Sequence, residues 1–110
     1  MNVYDTANKL AQEIKTSKEY LEYKKAKDTV VADSNLKSKV DDFEKMRYEM
    51  QILAMQGQNQ DEEKTKKLQD MYVALVANKE IKEYFDLEVK FNVMIADVNK
   101  IIAESIKEVL

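Results

Sequence analysis

The sequence predicts an all-α protein, an elongated antiparallel bundle of about five helices with the third and fifth long. Three observations carry this. Apolar residues recur at steps of three and four over most of the chain, which is the helical period and not strand alternation. One Gly and no Pro in 110 residues leave few of the turns that a sheet-rich fold needs. The abundant Lys, Glu, Ala, Leu and Met are good helix formers.

The first helix is expected over Val3 to Lys15, where Val3, Ala7, Leu10 and Ile14 make a narrow stripe. Asp5 near its start suits the positive end of the helix dipole. Thr16-Ser17-Lys18-Glu19 fits a capping box, with the Thr16 hydroxyl as cap and Glu19 three residues on. A second helix follows to about Ala32, with Tyr20, Tyr23, Ala26 and Val30 on its apolar face and Leu21 and Val31 beside them.

Asp33 or Ser34 can cap the third helix, which runs to Gln56 on the stripe Leu36, Val40, Phe43, Met46, Met50 and Leu53. Leu36, Phe43 and Met50 are spaced at the coiled-coil interval. Arg47, the sole Arg of the chain, sits at the stripe's edge and reads as a snorkelling side chain. Gly57 is placed for a left-handed C-terminal cap, and residues 56–60 form the obvious loop.

Asn59 with Glu62 can cap the fourth helix, whose apolar face is Leu68, Met71, Tyr72 and Leu75. Glu62 with Lys66, and Glu63 with Lys67, stand four apart in the better order for the dipole. Asn78 either ends this helix or caps the next.

The fifth helix, Ile81 to Val109, organises the chain. Its apolar positions are Ile81, Tyr84, Leu87, Phe91, Met94, Ile95, Val98, Ile101, Ile102 and Val109. At about 1.5 Å per residue it spans roughly 45 Å, whereas a compact chain of this size has a radius of gyration of about 13 Å. The rest of a round monomer could not cover it. Helices 1 and 2 (residues 1–32) are therefore expected as an arm and residues 33–110 as the main bundle of a single domain. The expected core is Leu10, Ile14, Leu36, Val40, Phe43, Met50, Leu53, Leu68, Leu75 and Ile95. The row Phe91, Met94, Val98, Ile101 and Ile102 is the expected interface of a homodimer, since a large apolar patch marks an interaction site and a two-fold dimer is its commonest occupant.

Composition excludes much chemistry. With no Cys and no His there are no disulfides, thiol nucleophiles or imidazole bases, and hardly any transition-metal site remains. Asp41-Asp42 and Glu62-Glu63 diverge by about 100° on a helix and do not converge on one reacting atom. Glu83 and Asp86 can lie together, but Lys79, Lys82 and Lys90 are close in sequence, and a solvated face is the plain reading. The stretch Gln58-Asn59-Gln60-Asp61 lacks EF-hand spacing. No catalytic, metal or cofactor site is expected.

A net charge of −3 is not a nucleic-acid polyelectrolyte balance. One basic stretch does stand out: Lys15, Lys18, Lys24, Lys25 and Lys27 interleaved with Tyr20 and Tyr23. Cations with aromatic faces can bind single strands. The competing reading is that the tyrosines are buried and the lysines form a solvated flank. Asn92 and Asn99, seven apart at the edge of the long stripe, either mark a wet edge or fix register at a helix interface. The N-terminus has no basic and apolar signal regions, and the longest apolar run, Met71 to Ala77, is far short of the roughly 20 residues of a membrane span. A cytoplasmic protein with no membrane contact is expected.

The whole chain resembles the YheA/YmcA/YlbF family of small helical bacterial proteins, the YheA branch most. The resemblance lies in Tyr4-Asp5-Thr6-Ala7-Asn8-Lys9-Leu10, in Ser17 through Lys27, and in Asp33 at the break. It continues through Phe43 and Gln51 and through Phe85 to Ile106, including Asp97-Val98-Asn99-Lys100. Order and spacing carry it, because each piece alone is an amphipathic-helix pattern. It implies an all-helical, often dimeric protein without known catalysis, of a type associated with control of competence, biofilm formation and sporulation. Some members act in a complex linked to RNA maturation, with cysteines tied to iron–sulfur clusters; without Cys, that cofactor does not carry over to this chain. The expected function is a cytoplasmic regulatory adaptor working through an unidentified protein partner. The alternative is an RNA-binding or RNA-processing accessory using the Lys15–Lys27 face.

Overall fold

The computed structural model describes residues 2–57 and 61–110. They form α1 (Val3–Lys15), α2 (Lys18–Ala32), α3 (Ser34–Met55), α4 (Glu62–Val76) and α5 (Lys79–Ile106), with a closing 3-10 turn at Lys107–Val109. No strand occurs among the described residues. The all-α class follows directly from the helical periodicity of the sequence.

Side chains at the breaks set the helix boundaries. Asn2 opens α1, its Oδ1 accepting from Asp5 N at 2.9 Å. At α2 the capping residue is Ser17 and not Thr16. Ser17 Oγ accepts from Tyr20 N at 3.2 Å and donates to Ile14 O at 2.6 Å, whereas the Thr16 hydroxyl turns back to Gln12 O. That puts Tyr20, and not Glu19, at the third helical position, so the reciprocal box expected from Thr16 and Glu19 does not form.

Asp33 caps α3 through bonds from Asn35 N and Leu36 N. Gly57 comes after α3 with φ +74°, the left-handed conformation that closes a helix, and its N–H reaches Ala54 O. The expected cap Asn59 lies outside the described residues; Asp61 fills the role, accepting from Glu63 N at 2.9 Å. Asn78 Oδ1 accepts from Glu80 N and Ile81 N, so α5 begins two residues earlier than expected. Its α-helical part ends at Ile106 because the last residues tighten into the 3-10 turn.

The chain comprises two compact units. One is Asp28–Glu83. Its apolar stripe is buried at Val30, Leu36, Val40, Phe43, Met50, Leu75 and Ile81, the last only 1% exposed. Leu53 and Leu68 are half-buried. α3 and α4 run antiparallel: Lys39 and Asp42, early in α3, border one cleft with Met71, Ala74 and Leu75, late in α4. Phe43 meets Tyr72 with ring centroids 6.0 Å apart. Arg47 lays its guanidinium over the Phe43 ring, Cζ 5.5 Å from the centroid, while Nη2 points to Glu44 at 3.9 Å. This is the snorkelling expected at the stripe's edge, with a cation–π contact added. Burying each large apolar side chain contributes about 1.5–3 kcal/mol.

The other unit joins Met1–Lys27 to Tyr84–Leu110. Leu10, Ile14, Tyr20, Tyr23 and Ala26 are half-buried, and Tyr84 and Phe85 are buried.

Candidate interaction surface

Aromatic contacts fix α2 against α5 within this second unit. Tyr20 meets Phe91 edge-on at 6.1 Å, Tyr23 lies against Phe91 at 5.3 Å, and Tyr23 stacks on Tyr84 at 5.6 Å. Tyr84 in turn touches Phe85 at 5.7 Å. Position 20 pairs with 91 and position 23 with 84 through 91, so the two segments are antiparallel. The Tyr23 hydroxyl donates to Glu88 Oε2 at 3.2 Å, which gives a polar end to an otherwise apolar contact.

This packing decides what the basic stretch can offer. Lys15, Lys18, Lys24, Lys25 and Lys27 are exposed, but Tyr20 and Tyr23 are half-buried and both rings are engaged with α5, Tyr23 by stacking on Tyr84. Lys18 also approaches Glu22 at 3.8 Å.

The apolar face is buried at the start of α5 and open toward the C-terminal end and the 3-10 turn that follows. Tyr84 is 5% exposed; Leu87, Phe91, Met94, Ile95 and Val98 are half-buried; Ile102 is 49% and Ile101 71% exposed; and Val109 reaches 85%. The positions expected at an interface thus divide. Phe91, Met94 and Val98 are half-buried, Phe91 against Tyr20 and Tyr23, and Ile101 and Ile102 face solvent. Ile106 is exposed as well. On α1, Val3 and Tyr4 are exposed. Of the positions expected in the core, Leu36, Val40, Phe43, Met50 and Leu75 are buried, and Leu10, Ile14, Leu53, Leu68 and Ile95 are half-buried.

Sequence reasoning did not assign Phe85 to the core, because it lies about 100° from Tyr84 and off the main stripe. It also missed Glu88 as the partner of Tyr23. The available signal was a carboxylate set inside the stripe, four residues after Tyr84 and three before Phe91.

No group of three or more Asp or Glu side chains among the described residues is placed to hold a metal ion. The cleft between α3 and α4 has a volume of about 240 Å³ and presents one ammonium, Lys39, and one carboxylate, Asp42, above Met71, Ala74 and Leu75. Lys37 Nζ donates to Asp41 Oδ2 at 2.8 Å, and this hydrogen bond, with the carboxylate's charge, holds the ammonium above its ordinary pKa. No described helix is long and apolar enough to cross a membrane.

These features define an all-helical protein whose distinctive surface is an apolar helix face. Over residues 3–107 the chain matches the family model for control of competence regulator ComK, YlbF/YmcA, and it belongs to that YlbF/YmcA family. Similar proteins include a UPF0342 protein of Caldicellulosiruptor bescii, 36% identical over 96% of this chain and 89% of that protein. Another is a UPF0342 protein of Lacticaseibacillus paracasei, 35% identical over 98% of this chain and 95% of that one. Among solved structures, a protein of unknown function (DUF964) from Bacillus stearothermophilus superposes with a TM-score of 0.85. It covers 96% of this chain and 93% of its own at 19% identity, a likeness of fold.

Proposed function

We propose that this chain is a non-catalytic cytoplasmic adaptor of the competence-control type, which self-associates and docks onto other proteins through apolar helix faces. The observation that carries this reading is the open end of the α5 stripe, with Ile101 at 71% and Ile102 at 49% exposure. Isolated exposed apolar residues are ordinary, but a contiguous row on one helix face marks an interaction site. The family description, control of a competence regulator, supports a role exerted through other proteins. Capture from the native cytoplasm on the immobilised chain, compared with Ile101→Glu, tests it. Specific proteins held by the native chain and lost by the variant are the expected result. Equal capture by both would overturn the assignment to this face.

A second reading, an RNA-binding accessory, has in its favour the exposed lysines between Lys15 and Lys27. A mobility-shift assay across salt separates the two. Phosphate contacts produce a steep fall of affinity with salt, whereas the adaptor reading expects no shift at any salt concentration.

A further inference from the structure

No residue from Asn2 to Lys27 is buried. Leu10, Ile14, Tyr20, Tyr23 and Ala26 are half-buried and are the best covered apolar side chains of this segment. α2 does have one buried residue, Val30, but it stands beyond Lys27, in the other compact unit. By contrast α3 alone buries Leu36, Val40, Phe43 and Met50. The ring contacts that hold the N-terminal segment to α5 meet in two side chains one turn apart. Tyr20 lies on Phe91, and Tyr23 on Tyr84 and Phe91, with the Tyr23 hydroxyl on Glu88. Upstream of them α1 is 13 residues long, about the length at which an isolated helix is marginal in water. Its cap is local, Asn2 accepting from Asp5 N, and so is its junction with α2, where Ser17 joins Ile14 to Tyr20.

We propose that residues 2–27 are a strap over the aromatic face of α5, which opens as one body while α3 and α4 stay folded. Segments poor in buried apolar contact open at a lower free energy than the core, in contiguous cooperative pieces. The strap has only half-buried side chains to hold it, whereas the stripe of the other unit is buried from Val30 to Ile81. Its downstream end is tethered, because α2 runs on past Lys27 to Val30, which is 2% exposed. Opening bares the Tyr84 and Phe91 rings and the Glu88 carboxylate, so this face of α5 has a closed and an open form. A molecule that binds only the bared face draws the strap open by mass action.

Native-state amide hydrogen exchange on the full chain tests this. If the strap opens alone, exchange within it is blind to the stability of the other unit. Phe43→Ala is expected to speed exchange at the slowest amides of α3 by at least about a hundredfold. The amides of α1 and of residues 21–27 are expected to keep their native rates in that variant. Tyr23→Phe, which breaks the bond to Glu88, is expected to speed the strap amides by about five- to thirtyfold. The gain should be as large in α1 as in α2, because the strap moves as one body. Should Phe43→Ala fail to fold, Phe43→Leu repeats the comparison with an effect of about tenfold on α3. A Phe43 variant that speeds α3 and the strap alike would mean that the chain opens only as a whole, and would overturn the proposal. A Tyr23→Phe effect that is absent, or confined to α2 while α1 frays by itself, would overturn it equally.

Discussion

Tyr23 stacks on Tyr84 at 5.6 Å with the rings 15° from parallel, and its hydroxyl reaches one turn further along the same helix to Glu88. One side chain of α2 therefore grips α5 by a face and by an edge. The two grips are separable. Tyr23→Phe keeps the ring and removes the bond to the carboxylate, and is expected to cost about 1–2 kcal/mol. Tyr23→Ala removes both and is expected to cost roughly 2–4 kcal/mol. Urea unfolding of the two variants checks this; equal losses would show that the hydroxyl alone matters.

Phe43 and Phe91 sit at equivalent places in their stripes but not in equivalent surroundings. Phe43 is 5% exposed, so Phe43→Ala is expected to destabilise by roughly 3–5 kcal/mol. Phe91 is half-buried, and Phe91→Ala should cost less, about 2–3 kcal/mol. Denaturant midpoints with unchanged slopes measure both, and a Phe91 variant as costly as the Phe43 one would mean that self-association buries the ring further.

Gly57 has nothing within 4 Å of where a Cβ would stand, yet its φ is +74°. Gly57→Ala is therefore expected to lose about 1–2 kcal/mol through backbone conformation alone. Gly57→Asn should lose less, because Asn tolerates the left-handed region. Thermal melts of the two variants should fall in that order.

Association should appear as a dimer at micromolar concentration in sedimentation equilibrium. Ile101, largely in solvent, can accept a charge without disturbing the fold, so Ile101→Glu should give a folded monomer. Val98→Glu, at a half-buried position, should weaken both association and stability. An Ile101→Glu dimer of unchanged affinity would move the interface elsewhere, with the arm of helices 1 and 2 the next candidate.

Periodicity made the helices legible because each must put its apolar residues on one side. It also marked Leu36, Val40, Phe43, Ile81 and Tyr84 as inward positions. It could not say how far neighbouring helices extend over a stripe. Tyr84 and Ile102 share one direction on α5, yet the first is buried and the second half open. Adjacent hydroxyls at Thr16 and Ser17 illustrate a second limit. A capping template fits Thr16 and Glu19, but only the three-dimensional turn decides which hydroxyl meets a free N–H, and it is Ser17. For contacts between distant positions the sequence shows only one end: Glu88 stands out as a carboxylate inside the stripe, but nothing local names Tyr23 as its partner.

The junctions at Asp33 and Asn78 have no slack. Asp33 alone separates α2 from α3, and its side chain already starts the second of them. Asn78 donates its N–H to Leu75 O at the end of α4 while its side chain holds Glu80 and Ile81 at the start of α5. One residue inserted after Ala77 would turn the start of α5 by about 100° and carry Ile81 out of its buried place. Chain length at these two points is therefore as much a determinant of the core as residue identity. Gains and losses of single residues should therefore be confined to places where no helix register hangs on the count.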